Sequence, residues 1–244
     1  TQPTVANSTS TTLSIPATTT TAPVESITVP KTTRPSTTTT TSLVETLDKP
    51  FYAATAINTM LEAFKKQTDS EPKWLLSNPG PFKGERVLLI RKIEEDWVQV
   101  FMPIRPPGTL AWVERDSVSI TEHKAKVIVD KYSGVLEGWR NGELLFREAF
   151  ISGSDEHPTP LGDFYINEIN SGGDEISGDI LVGITAFSTS MDSTSEGDPA
   201  IAFLENNLEE GSGELGTRGC IRVSKKVLNL LAGLPLGTPV QIVG

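Results

Sequence analysis

Reactive side chains are scarce in this sequence. Its 244 residues include one cysteine, Cys220, and two histidines. A single cysteine excludes an intrachain disulfide framework and a multi-cysteine metal site, and two histidines leave little material for zinc. No apolar run approaches the roughly 20 residues that a membrane-spanning helix needs. Any chemistry in this chain therefore depends on very few side chains, and we predict no metal site.

Positive charge is also in short supply. Lysine and arginine together number 21 against 31 aspartates and glutamates, so the formal net charge is -10. An acidic surface repels a phosphate backbone, which argues against nucleic acid as a partner.

The segment 1–43 consists mostly of threonine, serine and proline and has few large apolar residues. Such a composition buries too little surface to offset chain entropy, and it predicts disorder. Two interpretations remain open. The segment is either an extended tether that holds a domain away from a membrane or wall and carries O-glycans, or a spacer without selected function.

A change of pattern marks the segment 44–121 as a second region. Short strand-like runs occupy 86–90, 97–101 and 111–114, and turn residues at 78–81 and 106–108 separate them. Alternating apolar residues between such breakers predict a small β-barrel.

This middle region resembles a bacterial SH3-like module, a fold that often accompanies wall enzymes. The resemblance is carried by residues 96–100, 103–108 and 111–113. Trp97 and Trp112 could stack on a ligand, but strand tryptophans more often pack in or near a core, and we favour packing.

The remaining segment, 122–244, also predicts mostly strands. Runs at 126–130, 134–139 and 143–150 form a meander, in which Asn141-Gly142 is a strong hairpin-turn signal.

One helix is predicted near the end of this segment, and a closing strand is predicted at 238–243. Ser224 is placed to cap an apolar face, and Gly233 and Pro235 are placed to end the helix.

The sequence around Cys220 carries the strongest chemical signal. Gly219 lets a substrate carbonyl approach the backbone and lets amide hydrogens face a developing oxyanion. Arg218 and Arg222 flank the cysteine and would lower its pKa from the free value of about 8.5; either could also bind a substrate carboxylate. Taken without its neighbours, a lone cysteine is more often a small buried apolar residue than a nucleophile.

The run Thr217-Arg218-Gly219-Cys220-Ile221-Arg222 resembles the motif of the L,D-transpeptidases, which has a Ser or Thr, a basic residue, Gly, Cys, an apolar residue and often Arg. Residues 159–166 resemble the Thr-Pro-x-Gly-x-Phe segment of the same family, and 200–203 resembles a strand leading to its active site. The resemblance covers nearly all of 124–244.

The resemblance implies a fold and a reaction. The expected fold is mainly β, an L,D-transpeptidase-type β-sandwich or barrel with one or two short helices. Cys220 would attack a stem tetrapeptide of peptidoglycan, release D-Ala and pass the acyl group to an amine. Thr217 and Gly219 would shape the turn, while Arg218 and Arg222 would supply electrostatics. No cofactor is implied, and the expected location is extracytoplasmic, facing the cell wall or periplasm.

The sequence departs from the family at the general base. The family places a histidine at the end of the strand that 200–203 represents, whereas this chain has Leu204 and Glu205 there. Leucine cannot transfer a proton. His157 and His123 are the remaining candidates for a base.

Acidic residues lie between that strand and the cysteine, namely Glu205, Glu209, Glu210 and Glu214. They would either contact an ammonium group of a stem peptide or form a solvated loop.

Three functions therefore remain open: a transpeptidase, a cysteine hydrolase that uses water as acceptor, and a catalytically impaired peptidoglycan-binding protein. The first two share the formation of an acyl-enzyme, which the third lacks.

Overall fold

The computed structural model describes residues 49–81, 83–171, 179–193, 197–206 and 217–244. The tether predicted for 1–43 lies outside these ranges. The described residues all belong to one compact unit.

Within the described ranges, strands dominate and a single α-helix is present, as the sequence predicted. The strands are β1 (Phe51–Ala56), β2 (Met60–Ala63), β3 (Trp74–Ser77), β4 (Val87–Ile93), β5 (Trp97–Phe101), β6 (Leu110–Glu114), β7 (Val118–His123), β8 (Ala125–Asp130), β9 (Val135–Arg140), β10 (Glu143–Ala149), β11 (Gly162–Asn170), β12 (Leu181–Phe187), β13 (Ala200–Glu205), β14 (Ile221–Val223) and β15 (Pro239–Val243).

The first seven strands form what we call the N-terminal module. Five of them make a sheet in the order β6-β5-β4-β1-β7, and β2 and β3 form a separate hairpin. A bridge between Phe64 and Trp112 links the hairpin to the sheet. Trp97 meets the Phe64 ring edge to face, with 5.4 Å between the centroids. The ring contact supports a packing role for Trp97, and the bridge joins the Trp112 backbone to the hairpin.

The other eight strands form the C-terminal domain. They make one sheet in the order β10-β9-β8-β15-β11-β12-β13-β14, which curves toward a barrel. Asn141 and Gly142 both have positive φ, 52° and 77°, as a two-residue type I′ hairpin requires. The hairpin that this dipeptide predicts is therefore present between β9 and β10.

The helix α1 (Lys225–Ala232) covers one side of this sheet. The Ser224 side chain accepts a hydrogen bond from the Val227 N–H, so the predicted cap is confirmed. Val227, Leu228 and Leu231 are buried in the core of the domain. None of the described helical residues forms a segment long and apolar enough to cross a bilayer.

The N-terminal module packs against the outer face of the C-terminal sheet. The Tyr165 hydroxyl donates to the Phe101 carbonyl over 2.9 Å. At Gly237, where φ is 87°, a Cβ would stand 2.6 Å from the Cβ of Ala53. This glycine lets the two backbones approach closely, so the N-terminal module and the C-terminal domain are closely packed at this point.

Candidate active site

Cys220 follows a tight turn that its own sequence dictates. The Cys220 N–H donates to the Thr217 carbonyl over 2.9 Å, and the two residues between them have positive φ, 48° at Arg218 and 95° at Gly219. A non-glycine residue in this conformation carries backbone strain, which concentrates at functional sites. Gly219 is required here, because a Cβ would meet Ile201 Cδ1 at 2.8 Å.

A buried threonine fixes the turn to the loop that follows β10. Thr159 Oγ1 donates to the Gly219 carbonyl over 2.8 Å and accepts from the Gly153 N–H over 2.9 Å. A Cβ on Gly153 would collide with the His157 carbonyl. The Thr-Pro-x-Gly-x-Phe segment therefore begins with a side chain that holds the cysteine turn in place.

The strand beside the cysteine brings Ala202 to the sulfur. The parallel β13–β14 ladder pairs Phe203 with Ile221 and Leu204 with Arg222. The Ala202 amide is a hydrogen-bond partner of the Cys220 thiol. Ala202 is thus a residue of β13 in contact with the thiol, and Leu204, where the resemblance placed the missing base, is buried and pairs with Arg222.

Burial dominates the ionisation of the thiol. Desolvation raises the pKa of Cys220 above its ordinary value, and the Ala202 amide and the Arg222 charge only partly offset it. The sequence-based prediction of a lowered pKa is therefore wrong. The residue as a whole is nevertheless partly exposed.

The two flanking arginines occupy different environments. Arg222 is buried, and its Nη1 donates to the Glu205 carbonyl over 2.8 Å. Arg218 is exposed and is not among the groups that shift the pKa of Cys220. Of the two arginines, Arg222 is the one that stabilises a thiolate, and Arg218 remains available to a ligand in solvent. Thr217, at the start of the turn, is buried.

His157 lies in the loop that packs on the cysteine turn. Its carbonyl is 3.9 Å from the position that a Gly219 Cβ would occupy. Its ring Nδ1 is hydrogen-bonded to Ser190 Oγ at 2.8 Å, and the Ser190 N–H donates to Ser188 Oγ over 3.3 Å. His123, in contrast, packs at the junction with the N-terminal module, with its ring centroid 6.1 Å from that of Phe51.

The N-terminal module contacts the segment that carries Ser190. The Arg105 guanidinium donates to the carbonyls of Ser188 and Met191, over 2.8 and 3.2 Å, and lies 3.4 Å from the Asp198 carboxylate. Arg105 also stands over the Phe187 ring, 5.7 Å from its centroid. Sequence reasoning missed this residue, because only the fold brings it near 187–198.

A groove of about 920 Å³ runs beside these contacts, between the N-terminal module and the C-terminal domain. Its walls come from 105–108 on one side and from 160–164 and 187–189 on the other. It therefore adjoins the loop of His157 and the segment of Ser190.

The predicted acidic cluster is only partly described. Glu205 lies 3.9 Å from Lys225 Nζ, while Glu209, Glu210 and Glu214 lie outside the described residues. Among the described residues, no group of three or more histidine, cysteine, aspartate or glutamate side chains could hold a metal ion.

Comparison with known proteins gives one family match. The family model of YkuD, the L,D-transpeptidase catalytic domain, matches residues 124–242. This match falls within the C-terminal domain. No curated protein matches the chain.

Similar solved structures include L,D-transpeptidases from several bacteria. One from Stackebrandtia nassauensis is 16% identical with a TM-score of 0.37, over 49% of this chain and 55% of that chain. A mutant enzyme from Enterococcus faecium is 14% identical with a TM-score of 0.39, over 75% and 74%. L,D-transpeptidase 3 from Mycobacterium tuberculosis is 14% identical with a TM-score of 0.38, over 60% and 78%. The chain spans about half the length of the first structures that it matches.

Proposed function

We propose that this protein is a peptidoglycan L,D-transpeptidase in which Cys220 is the nucleophile. The observation that carries the proposal is the strained turn 217–220, which ends at the partly exposed residue Cys220 and is anchored by Thr159. The matched family model supports the same activity. The substrate is a stem peptide of the cell wall, and the site of action is extracytoplasmic.

The reaction has two acyl-transfer steps. The Cys220 sulfur attacks the carbonyl carbon after an L-centred residue, and D-Ala leaves as an amine that takes up a proton. The resulting thioester is then attacked by an amine of another stem, which releases the thiol and forms the cross-link. The Cys220 N–H already closes the turn, so the Gly219 N–H is our candidate for the oxyanion donor.

A thiol with a raised pKa needs a base more than an activated thiolate does. We assign this role to His157. Its backbone borders the cysteine turn, and its Nδ1 contact with Ser190 orients the ring and leaves Nε2 for proton transfer. The Nε2 atom would take the thiol proton and return a proton to the leaving amine.

A second function is favoured by the residue beside the sulfur. Ala202 and Leu204, on the strand beside the cysteine, cannot accept a proton. This composition of β13 is also compatible with a protein that binds stem peptides without turning them over. This candidate is a peptidoglycan-binding protein that retains the groove and has lost the reaction.

Covalent trapping separates the two functions. We expect a carbapenem to acylate Cys220, giving a mass increase that maps to the peptide containing this residue. The variant Cys220→Ala should give no adduct. A wild-type protein that stays unmodified while it still binds stem peptides would refute the transpeptidase and support the binding protein.

Product analysis distinguishes transfer from hydrolysis. With a stem tetrapeptide and an acceptor amine, the transpeptidase yields a cross-linked product, whereas a cysteine hydrolase yields a shortened stem with or without the amine. Release of D-Ala without a cross-linked product would refute the transpeptidase and support the hydrolase.

We also propose the domain limits 1–43, 44–121 and 122–244, in which a tether and an SH3-like module precede the catalytic domain. Limited proteolysis tests them, since cleavage should fall first within the Thr/Ser/Pro-rich segment. Early cleavage inside either of the folded regions would contradict these limits.

A further inference from the structure

A second cavity, which we call the junction cavity, lies where the N-terminal module covers the outer face of the C-terminal sheet. Its volume is about 380 Å³. Phe51, Leu89 and Phe101 contribute apolar walls from the module. Lys126 and Asp163 contribute charge from the sheet, and Arg91 contributes a second cation from the module. A mainly apolar cavity at a domain junction with a few polar groups has the character of a small-molecule site.

The polar groups of the cavity form a row across three neighbouring strands. Lys126 is on β8, Gln241 on β15 and Asp163 on β11, and Gln241 pairs directly with Asp163 in the ladder. Lys126 Nζ donates to Gln241 Oε1 over 3.2 Å, and Gln241 Nε2 donates to Asp163 Oδ1 over 3.1 Å. The glutamine amide thus joins a cation to an anion.

The hydrogen bonds of this row do not use all the N–H donors of the Lys126 ammonium group. The residue is only 8% exposed, and an ammonium group has three N–H donors. Across the part of the chain that the structure describes, its hydrogen bond to Gln241 is the one that Nζ makes. Burying a charge with too few partners is costly, and a carboxylate in the cavity would supply the missing acceptors.

We propose that the junction cavity binds a free amino acid with an apolar side chain. The carboxylate of the ligand lies on Lys126, its α-ammonium group lies on Asp163, and its side chain lies against Phe51, Leu89 and Phe101. The cation and the anion stand on either side of one glutamine, and this order suits the two opposite charges of a zwitterion.

The ionisation of the lysine is consistent with this assignment. Burial lowers the pKa of Lys126, and the Asp163 charge partly restores it. A bound carboxylate would favour the charged ammonium in the same way, so binding should weaken at alkaline pH, where the ammonium loses its proton.

Three probes that share the isobutyl side chain of leucine test the assignment by calorimetry on the full chain. Leucine carries both charges, 4-methylpentanoate lacks the ammonium group, and 3-methylbutylamine lacks the carboxylate. We expect leucine to bind best, 4-methylpentanoate at least several-fold more weakly, and the amine not at all. No binding by any probe, or equal binding by the amine, would overturn the proposal.

Variants connect each charge to its residue. Lys126→Met keeps the length of the side chain and should remove binding of leucine and of 4-methylpentanoate, at least tenfold in Kd. Asp163→Asn should remove the preference for leucine over 4-methylpentanoate. Lys92→Met, at an exposed ion pair with Glu94, is the matched control and should bind as wild type.

Two further measurements complete the test. Circular dichroism and thermal unfolding of each variant establish that it is folded, and Lys126→Arg should retain binding if Lys126→Met proves unstable. The variant Cys220→Ala should bind leucine as the wild type does, because this site does not use the thiol. Retained binding in Lys126→Met would contradict the proposal whatever the outcome for Cys220.

Discussion

The N-terminal module and the C-terminal domain are both β-sheet structures, yet their buried residues differ in kind. The buried residues of the module are all apolar within its described range, including Leu61, Leu88 and Val100. The eight buried polar or charged residues of the described chain all lie in the C-terminal domain: Lys126, Thr159, Glu168, Thr185, Ser188, Thr217, Arg222 and Thr238.

This difference indicates where function resides. Polar groups are costly to bury unless each finds a partner, so a fold that needs only stability avoids them. In the C-terminal domain they occur at the cysteine turn, through Thr159 and Thr217, and at the junction cavity, through Lys126 and Thr185. The module contributes walls and Arg105, and we expect the chemistry to take place in the C-terminal domain.

The largest expected effect comes from the proposed base. We expect His157→Gln to slow acylation of Cys220 by a carbapenem about 100- to 10,000-fold, since general acid–base assistance contributes factors of this size. Mass spectrometry of the adduct at successive times measures the rate.

The second histidine provides the control for this prediction. His123→Gln changes a residue at the junction and should leave the acylation rate close to that of wild type. Equal losses in the two variants, or no loss in His157→Gln, would remove His157 from the mechanism.

A core substitution in the module should affect stability alone. Leu61→Ala removes a side chain that is 1% exposed, and we expect a loss of about 2–5 kcal/mol in the free energy of unfolding. Denaturant unfolding measures this loss. The acylation rate of the folded fraction should not change, and a change would mean that the module does more than support the site.

Arg105 is the residue of the N-terminal module that we expect to affect the reaction in the C-terminal domain. Arg105→Ala should lower the acylation rate about tenfold, because it frees the segment that holds Ser190 and hence His157, and small displacements of catalytic groups are costly. The effect should fall on kcat more than on KM. Arg115→Ala, in the 3-10 turn of the module, is the control, and equal behaviour of the two variants would contradict this role.

The smallest effect concerns thiol reactivity. Because burial raises the pKa of Cys220, the thiolate fraction at pH 7 is below that of an unfolded thiol. Alkylation by iodoacetamide should therefore be slower in the native protein at pH 7 and should rise with pH through a midpoint above that of the denatured chain. A midpoint below it would restore the activated thiolate that the sequence alone suggested.

Local signals in the sequence predicted much of the fold. Asn141-Gly142 defines a hairpin and Ser224 a helix start through their own backbone preferences, and the structure has both. The strand β1 was missed because its small residues, Ala53, Ala54 and Ala56, resemble neither a helix stripe nor an apolar alternation.

The site was predictable only in part. The motif around Cys220 identified the turn, and a glycine with positive φ is what such a motif implies. The pKa of the thiol was not predictable, because it depends on burial beneath strands that are distant in sequence. The role of Ala202 depends likewise on the register of β13 against β14, which no local pattern sets.

The position of β15 has a consequence for how the domain assembles. This strand is the last of the domain in sequence, yet it lies between β8 and β11 near the middle of the eight-stranded sheet. Its parallel pairing joins Val127 to Val240, so loop closure over that span precedes any complete sheet. Until β15 pairs with both neighbours, the meander β8–β10 and the strands from β11 onward are not joined into one sheet. We therefore expect folding to be slow, and we expect the exposed strand edges to favour aggregation before the final strand inserts.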